Sequence, residues 1–283
     1  MTCFTIYTKI ISAKILHFGV HLQIFPVSFV SGNKPIRQLC SYCPTQTVGG
    51  GYVSDSLFTS DVWSRRRGFR EVDVLDHRLF MFLVSFWTMA GVFFSLGFSM
   101  ISYNWDISGW DVLFLLVPVL VVAFYGCSVS ARSTSVPESL FGFALIAGAL
   151  GLLLGPSLSE YQAAAILKAF ILTTGMVLIL GTIGALIPED LSSWGRPLMG
   201  ALLLLIGALL LSPLLTAFGI PIETSMSVLD WAGIIIFGAF VLYDLNRAAR
   251  LPRTAKNAID AAIGIYLDWF NIFVRVLGLG GRD

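Results

Sequence analysis

An all-α membrane fold with seven transmembrane helices is predicted by three features of this 283-residue chain. Apolar residues make up 56% of it and charged residues only 12%, against about 25% charged in an ordinary soluble domain. From Leu79 onward it is a succession of apolar runs, many near the ~20 residues that cross a ~30 Å hydrocarbon layer. Those runs are rich in Leu, Ile, Val, Phe, Gly and Ala without β-type alternation, so they read as helices and not as barrel strands. The formal net charge of +1 points to neither nucleic acid nor acidic partners. The bilayer is the expected surrounding.

The spans are read at 79–103, 111–130, 138–156, 163–187, 197–218, 229–249 and 257–279. Short polar connectors separate them, among them "SVSARSTSVPE", "IPEDLSSWGR", "GIPIETSMS" and "NRAARLPRTAKN". Interior glycines at Gly142, Gly148, Gly151, Gly181, Gly184, Gly200 and Gly207 suit close helix contacts in lipid. Basic residues alternate between connectors. Arg65, Arg66, Arg67, Arg70 and Arg78 precede the first span, Arg132 and Arg196 follow the second and fourth, and Arg247, Arg250, Arg253 and Lys256 follow the sixth. That pattern puts the N-terminus in the cytoplasm. Seven full spans put the C-terminus outside, and a re-entrant last segment would return it inside. Asp106, Asp111, Glu160, Glu223 and Asp230 fall at the opposite ends, where a solvated surface is the plain reading and a cation vestibule the sharper one.

Residues 1–78 are a separate leader, and 79–283 form the membrane domain. The leader has no acid before Asp55 but carries Lys9, Lys14, Lys34 and Arg37, like an organelle transit peptide. Its "ILHFGVHLQIFPVSFV" is interrupted by His17, His21, Gln23 and Pro26, which makes a poor eighth span. A second reading starts translation downstream, near Val53 after the glycine run. Cys40 and Cys43, with His17 and His21, offer a conceivable zinc set. Cys127, in the second span, reads as a small core residue.

The chemistry concentrates in the last span. Asp260, Gly264, Asp268, Asn271 and Arg275 are spaced 4, 4, 3 and 4 residues apart, which stacks them on one helical face. A buried aspartate costs about 2.5–3.5 kcal/mol on insertion scales. Such a stripe therefore predicts an enclosed seventh helix. Asp244, at the end of the sixth span, lies across a short connector from Asp268, so antiparallel neighbours bring the two acids within about two helical turns. Two carboxylates that close in a low dielectric cannot both ionise easily and can hold a shared proton. Arg132 enters from the same membrane face and is a candidate counter-charge. The bland alternative is that these groups only hydrogen-bond helices together.

"LYDLNR" followed some twenty residues later by "IYLDWFNIF" resembles the signature of the Bax-inhibitor-1 family, the transmembrane Bax-inhibitor-motif proteins. "LGTIGALIPEDLS" resembles that family's turn after the fourth span, and "SLFGFALIAGALGLLLGP" its third helix. The resemblance covers Leu79 to Gly280. It implies six helices around a central seventh and a pH-sensitive calcium leak. On this chain the gating pair would be Asp244 with Asp268, both also possible calcium ligands, with Arg132 as the basic residue ending the second helix. "SARSTS" carries one basic residue where bacterial members can carry a run, and Lys168 stands beside the implied cation route.

Two rival classes follow from the same residues. "YD" at Tyr243–Asp244 is similar to aspartyl intramembrane proteases, but their second acid sits in "GxGD", whereas this chain has "YLDWFN" and ends in "GLGLGGRD" with Asp283. No HExxH, GxSxG, phosphate loop or dinucleotide fingerprint occurs, so no enzyme and no cofactor is expected. The other rival is a membrane-embedded regulator that binds a membrane protease or cell-death factor without moving ions. The expected membrane is a bacterial inner membrane, with an organelle membrane as the alternative.

Overall fold

The computed structural model describes residues 75–105, 111–217 and 222–280; the readings placed on residues 1–74, the zinc set among them, lie outside these. Seven α-helices succeed one another: α1 (His77–Ser102), α2 (Asp111–Arg132), α3 (Val136–Ser159), α4 (Ala163–Leu186), α5 (Gly195–Ala217), α6 (Ile222–Ala248) and α7 (Ala255–Gly280). A 3₁₀ turn at Leu191–Trp194 leads into α5. All seven are long and apolar enough to cross a bilayer, and no strand occurs among the described residues. The expected spans are all present. The largest shift is at α6, which starts at Ile222 and not 229 because "IETSMS" continues the helix: polar residues outside the hydrocarbon do not stop a helix.

Helix ends are set by local chemistry. Asp76 caps α1, its side chain accepting from the Arg78 amide at 3.2 Å. Thr254 accepts from the Asn257 amide at 3.2 Å before α7, and the Asn257 side chain donates to the Pro252 carbonyl at 2.7 Å. Asp190 caps the 3₁₀ turn, and the Ser192 amide donating to it holds its carboxyl below the usual carboxylate range. The α6–α7 connector is tied in turn to the start of α1, where the Leu75 amide donates to the Arg253 carbonyl at 2.8 Å.

The stripe on α7 dictates the arrangement of the rest. Over its most apolar stretch 78% of the residues of α7 are buried, against 11% for α4. Helices α1, α3, α4 and α6 pack directly on α7; α2 packs chiefly on α3, and α5 on α6. The last helix is thus central, as its polar face requires. A second enclosed helix, α3 at 67%, was not evident from its uniform apolar sequence.

Lipid tails are as apolar as the side chains, so close backbone approach and hydrogen bonds hold the helices together. A Cβ on Gly142 would come within 2.6 Å of the Gly126 carbonyl of α2, and Gly151 and Gly184 face the Ser95 and Leu242 carbonyls still more closely. Gly91 leaves room for the Phe143 ring, which stacks edge-on to Tyr266 of α7 at 5.4 Å. Ser95 completes that junction: its hydroxyl lies 3.0 Å from the Ala147 carbonyl of α3 and hydrogen-bonds the Tyr266 hydroxyl. The glycines are not equivalent, however. Gly200 and Gly207 of α5 have nothing within 4 Å of a would-be Cβ, so they make no close helix contact.

Gly151→Ala and Gly184→Ala are expected to cost about 1–3 kcal/mol through overpacking, whereas Gly200→Ala stabilises by up to about 1 kcal/mol through helix propensity. Thermal midpoints of the detergent-solubilised protein measure both. Equal midpoints for all three variants would refute the assignment of α3–α1 and α4–α6 as the close seams.

Candidate functional site

The α7 stripe meets different neighbours along its length. At the connector end, Asp260 accepts from Ser130 of α2 at 3.1 Å and from Ser139 of α3 at 2.8 Å, and its other oxygen pairs with Lys256 one turn earlier. Asp268 and Asn271 are fully buried, the Asn271 amide donating to the Leu267 carbonyl at 2.8 Å. Trp269, beside Asp268, donates from its indole nitrogen to Thr174 of α4 at 3.1 Å.

Between these lies Gly264, the stripe's one position without a side chain. A Cβ there would stand 2.9 Å from Asp244 Oδ2. The half-buried Asp244 carboxylate of α6 therefore occupies the space a larger residue would fill. Asp268 follows Gly264 by four residues, one turn and about 6 Å along the same face. The short connector thus brings Asp244 against α7 at Gly264.

Asn246, two residues beyond Asp244, was not singled out from the sequence. It is buried and uses its whole amide. Its nitrogen donates to the carbonyls of Gly184 at 3.1 Å, Ile187 at 3.1 Å and Glu189 at 3.2 Å, and its oxygen accepts from the Leu191 amide at 3.1 Å. Arg250 adds bonds to the Pro188 and Glu189 carbonyls at 2.9 and 2.7 Å and to the Asn246 carbonyl at 2.8 Å. "LYDLNR" and "GALIPEDLS" are therefore two halves of one clamp. Backbone acceptors carry no residue-type signal, which is why the pairing was not legible beforehand.

At the far end of the seam, Arg275 is fully buried. Its guanidinium lies 3.9 Å from Asp230, donates to the Leu229 carbonyl at 3.2 Å and sits 5.3 Å from the centre of the Phe237 ring. The seat exists because Gly233 has no side chain; a Cβ there would fall well inside contact with the guanidinium. Asp230, expected at a solvated end, is instead fully buried: about two turns into α6, it faces the arginine of α7.

The remaining candidates are more peripheral. Arg132 is exposed at the last turn of α2; the groups that bring the end of α2 to α7 are Ser130 and, through α3, Ser139. Lys168 is exposed on α4. Glu160 and Asp111 are exposed as expected. Cys127 is buried in a core shared by α1, α2, α3, α4 and α7. No three His, Cys, Asp or Glu residues come together as a metal site among the described residues.

Seven helices long and apolar enough to span a bilayer, the last of them ionisable and enclosed by others, define an integral, multi-pass membrane protein. The family model described as "Inhibitor of apoptosis-promoting Bax1" matches residues 77–282, and the chain belongs to that Bax inhibitor family. A Deinococcus radiodurans protein is 26% identical over 220 residues, covering 73% of this chain and 92% of its own length. The Escherichia coli inner membrane protein YbhL is 27% identical over 177 residues, 59% of this chain and 73% of YbhL. A vaccinia virus protein named Golgi anti-apoptotic protein is 34% identical over 119 residues, covering 42% of this chain and 48% of the viral one.

Asn246→Ala leaves several buried carbonyls and the Leu191 amide without their partner, at about 1–3 kcal/mol for each group not rescued by water. Hydrogen exchange and limited proteolysis between Gly184 and Leu191 are expected to accelerate by an order of magnitude or more, with the helices themselves remaining protected. Unchanged exchange in that segment would show that the clamp does not hold the loop.

Proposed function

We propose that the protein is a pH-sensitive calcium or cation leak channel of the Bax-inhibitor type, gated by Asp244 and Asp268. The observation that carries this reading is the contact of the Asp244 carboxylate with α7 at Gly264, one turn from the fully buried Asp268. Two acids so placed share a proton at low pH. Loss of that proton at neutral to high pH leaves two negative charges in a low dielectric, and their repulsion favours parting α6 from α7. Carboxylate oxygens are hard ligands suited to Ca²⁺ at a constriction. Arg132, on the same membrane face, is the proposed mobile counter-charge, and the move of α2 is transmitted through Ser130 to Asp260. The chemistry is passage and not catalysis, and needs no cofactor. Kinship with YbhL favours a bacterial inner membrane as the location.

A second reading, a membrane-embedded regulator that binds a protease or cell-death factor without moving ions, is favoured by the name of the viral relative. In that case the stripe only fixes packing, and partners engage the loops.

The test is Ca²⁺ uptake by dye-loaded proteoliposomes across roughly pH 6–8. Wild type is expected to leak more as pH rises. Asp244→Asn and Asp268→Asn each shift or abolish the midpoint, and Gly264→Ala, which keeps both acids but displaces one, shifts it too. No leak at any pH in all four proteins would leave the regulator reading, to be pursued by crosslinking to membrane partners. A pH-independent leak identical in all four would remove the aspartates from the gate.

A further inference from the structure

The Asp244 end of the seam accounts for only one end of α7. Asp230 precedes Asp244 by fourteen residues on α6, about 21 Å along the helix, so the Arg275 cluster stands apart from the acid pair. An arginine buried in a span is costly unless paired and hydrogen-bonded. Here it has a carboxylate, a carbonyl and an aromatic face, and a glycine opposite it that leaves the guanidinium its volume. Below it, Ile272 is fully buried in the core cluster that includes Phe237. The guanidinium therefore fills the α6–α7 seam at the level where the two helices would otherwise leave a gap.

We propose that Arg275, seated against Gly233 and paired with Asp230, is a second closure of the α6–α7 seam, at the end opposite Asp244, and that it is the element which rejects cations when the seam is shut. A fixed positive charge in a narrow apolar passage is a barrier to cations. Passage requires the guanidinium to leave its seat, so two closures in series, one acidic and one basic, must both open. What the closure seals rests on the leak reading; that it seals the seam does not.

The reporter is Ile272→Cys in a full-length chain whose Cys3, Cys40, Cys43 and Cys127 are replaced by alanine, reconstituted in liposomes and reacted with a water-soluble maleimide that reaches both sides of the membrane. Arg275→Gln removes the pair's cation. Gly233→Ala keeps every charge and only evicts the guanidinium. Both are expected to label at least about tenfold faster than the reporter alone. Unchanged labelling in Gly233→Ala overturns the proposal, whatever Arg275→Gln does, and it also decides the matter if Arg275→Gln fails to fold. Ca²⁺ uptake is followed on the same preparations. Faster labelling without any leak sustains the closure and removes the channel reading. A wild-type leak with unchanged labelling removes the closure and leaves the channel.

Discussion

One constraint governs this molecule: a helix bearing Asp260, Asp268, Asn271 and Arg275 on one face cannot present that face to hydrocarbon. Every larger feature follows from hiding it. Helices α1, α3, α4 and α6 wrap α7, and the two remaining helices buttress that wrap. The close seams are built where backbones must approach, by Gly142 against Gly126 and by Gly151 against Ser95. The exposed side chains of α4, such as Leu178 and Ile179, are left to meet lipid because its one charge, Lys168, lies near its start and not in its apolar stretch.

The seam between α6 and α7 is a ladder of complementary omissions. Gly264 lacks a side chain where Asp244 arrives, and Gly233 lacks one where Arg275 arrives. Each glycine belongs to the helix opposite the ionised group, so the two helices receive each other's charges in opposite senses at the two ends. This reciprocity lets ionisable groups sit between helices in contact. It also means that a side chain added at either glycine acts on a charge and not merely on packing.

The spans were legible because each is a long, predominantly apolar run without β-type alternation, and only helices and closed barrels satisfy the backbone in lipid. The centrality of α7 was legible from the 4, 4, 3, 4 spacing, since a polar face on a span admits few environments. The meeting of Asp244 with the stripe was legible from the brevity of "RLPRTAKN". Asp230 was not, because an acid near a span end looks the same whether it faces water or an arginine forty-five residues on. Nor could Gly151 be told from Gly200, as both sit in leucine-rich runs, and only the neighbour's identity separates a seam from a lipid face. Asn246 escaped for a further reason: its partners are main-chain carbonyls, which any residue supplies.

The polar load of α7 bears on how the protein is made. Of the seven spans it has the lowest mean hydropathy, and each buried acid or arginine costs about 2.5–3.5 kcal/mol on insertion scales. Presented alone to the membrane as it leaves the ribosome, α7 is a weak insertion signal. Arg275 is answered by α6, the helix synthesised immediately before α7, so the two enter best as a hairpin in which Asp230 already awaits Arg275. The helix at the centre of the finished bundle is thus the last to arrive.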